Sequence, residues 1–139
     1  MVDARQDVKK DRPVYRNIGL AQLIKYRLPW AGKVSILHRI SGAALFLMLP
    51  FLLYLLDQSL ASEMSYEKFQ AITSHVLVKI VLLGLIWSFL HHFCAGIRYL
   101  LLDLEIGVEK SEANRSAIVV FCLGLALTAV VGLKLFGVY

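Results

Sequence analysis

Three stretches of this sequence, Val34 to Leu56, Ser74 to Leu102 and Ser116 to Tyr139, stay apolar for far longer than a soluble core needs. Each reaches the roughly 20 residues with which an α-helix crosses about 30 Å of hydrocarbon. All three are too long for strands, and a lone open strand would leave its backbone unsatisfied in lipid. The expectation is an all-α membrane protein with three transmembrane helices and a short amphipathic N-terminal helix. A hydrophobic share of 58% agrees, because soluble domains carry less. With 139 residues there is room for one folding unit. It divides into an N-terminal segment with an interfacial helix (1–33) and a three-helix transmembrane anchor domain (34–139).

The formal charge of +5 does not point to nucleic acid, because of where the basic residues lie. Arg5, Lys9, Lys10, Arg12, Arg16, Lys25, Arg27 and Lys33 all precede the first span. The first loop, Asp57 to Thr73, holds Lys68 against Asp57, Glu63 and Glu67, and the second loop carries Lys110 and Arg115. Counting Lys and Arg, the N-terminus and the second loop are cytoplasmic and the C-terminus lies outside. Basic segments so placed meet anionic lipid or an acidic partner surface. Cys94 and Cys122 both fall inside spans and are expected to be small buried residues, without the spacing of a disulfide framework or a zinc site. No cleavable signal or organellar transit peptide is expected at the start.

Residues 1 to about 12 are polar and are expected to be disordered or held by a partner. From Arg16 to Leu28, apolar Leu20, Leu23, Ile24 and Leu28 mingle with basic residues, the pattern of a helix lying in the interface. Pro29 would end it and put Trp30 at headgroup depth. A second short helix is expected around Tyr66 to Ile72.

The polar residues inside the spans carry the chemistry. Ser35, His38, Arg39 and Gly42 follow i, i+3, i+4, i+7 spacing and so share one helical face. An arginine at a span centre costs about 2.5–3.5 kcal/mol, less near an end where it can snorkel. Arg39 lies roughly 8–9 Å inside the span's start at about 1.5 Å per residue, so snorkelling is one explanation. With His38 and Ser35 on the same stripe, the set also offers a fixed cation, an imidazole and a hydroxyl to an anionic or carbonyl-bearing ligand. In the second span, Lys79 and His75 lie near the outer headgroups, and Arg98 near the inner end, where all three can snorkel. His91 and His92 lie deeper, roughly 16–18 Å from Asp103 by helical rise.

A buried imidazole needs a hydrogen-bond partner or a metal. Adjacent histidines point about 100° apart, so one ligand site would use one of them. His92 shares its stripe with Ser88, Gly96, Tyr99 and Asp103, and Gly96 removes a side chain where a flat macrocycle would collide. His91 lines up instead with Trp87, Ala95 and Arg98. His92 is therefore the preferred axial haem ligand and His91 a packing residue, the alternative being that both are satisfied interhelical histidines. Counted from the inner membrane boundary, His92 is roughly twice as deep as His38, and His75 is about 25 Å away along the axis. Neither is level with His92, so a second axial ligand would come from another subunit, with His38 and Arg39 on the cytoplasmic side of the ring.

Arg12-Pro13, then Ser35-Ile36-Leu37-His38-Arg39-Ile40-Ser41-Gly42, then His92-x-x-x-Gly96-Ile97-Arg98 continuing to Asp103 occur here in order. Together they resemble the cytochrome b subunit of succinate dehydrogenase, the larger membrane anchor of respiratory complex II. The resemblance implies that His92 ligates haem b, shared with a second small membrane anchor subunit that supplies the other ligand. It implies that Ser35 and Arg39 line the ubiquinone site and that His38 and Arg39 approach the haem propionates. Arg98 and Asp103 match the pattern with an interface or structural role only. The chain departs from it in extra residues around Gly19 to Leu23 and at Tyr99, Leu102 and Glu105.

On this resemblance, the chain is the anchor of a succinate:ubiquinone oxidoreductase in the bacterial inner membrane. Its partners are a flavoprotein subunit, an iron–sulfur subunit, the second anchor and membrane lipid, not nucleic acid. Electrons pass from the iron–sulfur subunit to ubiquinone, and no complete active site or catalytic residue lies on this chain alone. Three rivals are a structural anchor without redox groups, a quinol:fumarate reductase anchor and a small proton-relay subunit. The last would need polar residues in the outer half of the spans, and Ile80 to Gly84 offers none.

Overall fold

The computed structural model describes residues 19–138. They form five helices: α1 (Leu20–Lys25), α2 (Trp30–Leu60), α3 (Glu63–Ser74), α4 (Val76–Asp103) and α5 (Lys110–Leu135). Helices α2, α4 and α5 are each long and apolar enough to cross a membrane, as the three apolar runs require.

Helices α2 and α5 begin earlier than their apolar runs, whereas α4 begins at Val76, two residues after Ser74. Trp30 opens α2 four residues before Val34, and Lys110 opens α5 six residues before Ser116. Lys110 and Arg115, expected in a loop, thus lie in the first turns of α5. Apolar runs mark the hydrocarbon-facing part of a helix, whereas backbone hydrogen bonding carries on into the polar layer. At about 1.5 Å per residue, α2 is about 46 Å long, ample for a core of about 30 Å.

Pro29 does not end the interfacial helix. The helix at Leu20–Lys25 is six residues long, shorter than the expected Arg16–Leu28, of which residues 16–18 lie outside the described region, as do residues 1–12. Pro29, with φ −64° and ψ 160°, is instead the N-cap of α2. A proline offers no side-chain oxygen to the first-turn N–H groups. One of them, on Ala31, donates to Asn114 Oδ1 of α5 at 3.2 Å, so a neighbouring helix supplies the cap. Trp30 packs its ring 5.8 Å from Phe121.

At the other end, α3 starts at a capping box. The Ser62 hydroxyl accepts from Ser65 N–H at 3.2 Å, and the Ser62 N–H donates to Ser65 Oγ at 2.8 Å. His75 then links α3 to α4, its Nδ1 accepting from Leu77 N–H at 3.3 Å. The α4–α5 turn uses two left-handed residues, Glu105 (φ 61°) and Gly107 (φ 76°), to reverse the chain within six residues.

Helix α4 packs against both α2 and α5 and runs antiparallel to them. Its contact with α5 follows a stripe of small or short residues, Ala117, Val120, Gly124, Thr128 and Gly132, all buried. A Cβ on Gly124 would lie 3.5 Å from the His91 Cα, and one on Gly132 would lie 2.9 Å from Leu83 Cδ1. Lipid offers no hydrophobic drive between helices, so close backbone approach supplies the packing energy. The core of Val34, Ala95, Ala117 and Val120 sits at the end where α2 and α5 begin and α4 finishes. Cys94 packs beside it, whereas Cys122 faces outward, contrary to the expectation that both are buried.

Candidate functional site

His92 projects from α4 onto α2. Its Nδ1 lies 3.0 Å from the His38 carbonyl oxygen and 3.3 Å from Ser41 Oγ, and Ser41 Oγ itself donates to the His38 carbonyl at 2.9 Å. A carbonyl accepts only, so this contact assigns the imidazole proton to Nδ1 and leaves the lone pair on Nε2. Nε2 has no hydrogen-bond partner among the described residues, and the side chain is half-buried. Gly42 makes room for the ring: a Cβ there would stand 2.8 Å from His92 Cε1.

The His38 ring stacks on the His92 ring, with centroids 4.0 Å apart and planes 8° from parallel. The two imidazoles are therefore level, which corrects the expectation that His38 lies at half the depth of His92. Counting rise from the ends of apolar runs assumes that those ends share one depth. Helix α2 starts at Trp30 and α4 continues to Asp103, so the helix ends are staggered. His38 also contacts Tyr99, with ring centroids 5.1 Å apart.

Ser35, His38 and Arg39 do not share one pocket. Ser35 lines a cavity of about 370 Å³ with Ala31 of α2, Arg98, Tyr99 and Leu102 of α4, Val108 of the turn and Ala113 of α5. His38 belongs to the stack, and Arg39 is exposed on the bundle surface. Neither Ser35 nor Arg39 has a hydrogen-bond or ion-pair partner among the described residues.

His91 occupies the position expected of a packing residue. It is fully buried, stacks on Trp87 with centroids 5.2 Å apart and meets Phe121 edge-on at 6.4 Å. Its polar neighbour is the Val34 backbone of α2, and among the described residues neither ring nitrogen makes a well-aligned hydrogen bond.

Arg98 differs from expectation. It does not snorkel: only 5% of it is exposed, its Nε donates to Ser116 Oγ at 2.9 Å and its Nη2 to the Ala113 carbonyl at 2.9 Å. The site residues that sequence reading passed over are Ser41 and Gly42, which seat His92, and Arg98 and Tyr99, which share the Ser35 cavity. Gly42 stood on the Ser35–His38 stripe and Tyr99 on that of His92. The acceptors of Arg98 lie across a turn and have no sequence signature. At the far end, Lys79 is half-buried with its ammonium 5.8 Å from the Phe136 ring, while His75 is exposed.

Comparison with known proteins gives a consistent result. Residues 9–131 match the family described as "Succinate dehydrogenase/Fumarate reductase transmembrane subunit". A protein of Coxiella burnetii named succinate dehydrogenase cytochrome b556 subunit is 34% identical over 79% of this chain and 89% of its own length. Proteins of the same name from Paracoccus denitrificans and Rickettsia felis are 31% and 27% identical, over 82% and 92% of this chain and 87% and 96% of their own lengths. With three membrane-spanning helices and a family match over most of its length, the chain belongs to the succinate dehydrogenase/fumarate reductase transmembrane subunit family.

Proposed function

We propose that this chain is the haem b-binding anchor of a succinate:ubiquinone oxidoreductase, and that it helps to form the quinone-reduction site. The observation that carries the reading is His92, with Nδ1 tied to a backbone carbonyl and Nε2 left free. Metal-ligating histidines are held in this way, because the second hydrogen bond sets tautomer and ring angle and raises the basicity of the ligating nitrogen. The clearance at Gly42 lets that ring stand against α2. The residues present therefore fit a haem.

When bound, haem b supplies a one-electron carrier beside the quinone site. His92 would hold the haem iron through Nε2, and a second small anchor subunit would supply the other ligand. His38 and Arg39 would hold the propionates, Arg39 with a charge that no described residue pairs.

Ser35 donates a hydrogen bond to a quinone carbonyl oxygen, and Arg39, one turn along α2, supplies fixed positive charge at the approach. Reduction to quinol takes two electrons and two protons, and negative charge on oxygen in a low-dielectric site is stabilised by such preorganised donors. The electrons originate in succinate oxidation and arrive through a flavoprotein and an iron–sulfur subunit. The end of the bundle where α2 and α5 begin is cytoplasmic, because Lys25, Arg27, Lys33, Lys110 and Arg115 gather there. The membrane is the bacterial inner membrane.

Arg39→Leu is expected to lower ubiquinone reduction at least tenfold while succinate oxidation by an artificial dye acceptor is retained. Equal loss of both activities would remove Arg39 from the quinone site. His92→Ala is expected to abolish the b-type band in a reduced-minus-oxidised spectrum of the purified complex, and an unchanged band would exclude His92 as ligand.

A further inference from the structure

At the end of the bundle that carries α3, one cation stands in the first turn of α4. A lysine so near the end of a span ordinarily extends its ammonium to the water layer. Lys79 is instead half-buried, with its ammonium 5.8 Å from the centre of the Phe136 ring. Among the described residues it makes no hydrogen bond and no ion pair. It lines a cavity of about 630 Å³ with Gln70, Thr73 and Ser74 of α3, Leu55 of α2 and Leu135 of α5. The Thr73 and Ser74 hydroxyls donate to carbonyls of their own helix, at 2.8 Å to Phe69 and 2.9 Å to Ala71. Nothing described in the cavity carries a negative charge, and a cation partly removed from water is costly without one.

Leu82 lines this cavity and also a second one of about 400 Å³, whose walls are apolar side chains only. Leu52 of α2, Leu85, Ile86 and Phe89 of α4 and Val131 of α5 are among them, so all three spans contribute. The packed core of Val34, Ala95, Ala117 and Val120 lies at the opposite end. From Lys79 to Leu90, the farthest α4 residue of the second cavity, the helix rises about 16 Å. That is about half of a 30 Å hydrocarbon core, the depth of one leaflet. Spread over the roughly 12 Å from Leu82 to Leu90, the second cavity has a mean cross-section of about 33 Å². A helix with its side chains is about 10–12 Å across, a section of roughly 80–110 Å². The crevice is wide enough for a hydrocarbon chain and too narrow for a helix.

We infer that this end of the bundle holds one anionic phospholipid, its phosphate at the Lys79 ammonium and an acyl chain in the crevice between the spans. The phosphate supplies the counter-charge that the described residues lack. The Gln70 side-chain amide, without a partner among the described residues, adds a donor at the same mouth. The acyl chain fills the space that the side chains of α2, α4 and α5 leave open. This lipid site is independent of the haem and quinone roles.

The assembled complex, stripped of lipid in detergent, is titrated with phosphatidylglycerol and with phosphatidylcholine of equal chain length, and bound lipid is counted by native mass spectrometry. Wild type is expected to prefer phosphatidylglycerol. Lys79→Gln is expected to weaken phosphatidylglycerol binding by about 3–10-fold, the value of one lysine at a charged headgroup. Its phosphatidylcholine binding and dye-linked succinate oxidation are expected to be unchanged, and Lys79→Arg is expected to keep the wild-type preference. Ile86→Trp, which narrows the crevice, is expected to reduce retention of both lipids. Glycerol phosphate, the headgroup without its chains, is expected not to compete. Unchanged phosphatidylglycerol binding in Lys79→Gln overturns the inference, as does loss of another subunit from that variant without a change in lipid, which would make Lys79 the partner of a protein carboxylate. Full competition by glycerol phosphate overturns it too, even if Ile86→Trp fails to assemble, because the acyl chain would then contribute nothing.

Discussion

The contact between Gly42 and His92 shows how one missing side chain sets the position of an imidazole. The His92 ring lies where any Cβ on residue 42 would stand, 2.8 Å from Cε1. Gly42→Ala therefore displaces the ring from the His38 carbonyl and frees it to rotate. Overpacking of this kind costs about 1–3 kcal/mol, and loss of an outer partner weakens a metal site by roughly 10–100-fold. The expected result is a purified complex with a strongly reduced haem-to-protein ratio but normal subunit composition. Full haem content in Gly42→Ala would show that the ring is not seated against α2. His91, one residue away, stacks on Trp87 of its own helix, meets Phe121 of α5 edge-on and neighbours the Val34 backbone of α2.

At the scale of elements, α4 is the helix on which both faces matter. One face carries His92, Gly96 and Tyr99 towards α2, and the other carries His91, Ala95 and Arg98 towards α5. Close approach of α5 depends on Gly124, whose missing side chain admits the His91 backbone. Gly124→Leu is expected to push the helices apart and lower the thermal midpoint of the complex by several degrees, at a cost of about 1–3 kcal/mol. Haem content in that variant is expected to fall less than in Gly42→Ala, because His92 sits on the opposite face. An unchanged midpoint would mean that α4 and α5 are held by other contacts.

For the whole molecule, polarity is gathered at the two ends, and the ends differ. The α2–α5 start holds the stacked histidines, the Ser35 cavity and most of the basic residues. The opposite end holds α3, with acidic Glu63 and Glu67. In a background lacking Cys94 and Cys122, Gln70→Cys is expected to react with a membrane-impermeant maleimide from outside intact spheroplasts. Lys110→Cys is expected to react only in inverted vesicles. The reverse pattern would invert the proposed orientation and move the proposed haem and quinone sites to the other surface.

By itself the sequence determined the class of structure, because a run of about 20 apolar residues has one stable solution in lipid, and there are three such runs. Helical periodicity also separated His91 from His92 by face, and the short helix expected near Tyr66 is present as α3, opened by the Ser62–Ser65 capping box. What periodicity does not encode is the stagger between helices. Only the tertiary structure placed His38 level with His92, capped α2 with Asn114 and divided Ser35 from Arg39. It also buried Arg98, which by depth alone belonged among the snorkelling residues. The physical reason is common to all four. Each depends on which side chain of a distant helix stands opposite, and that is set by close packing of small residues.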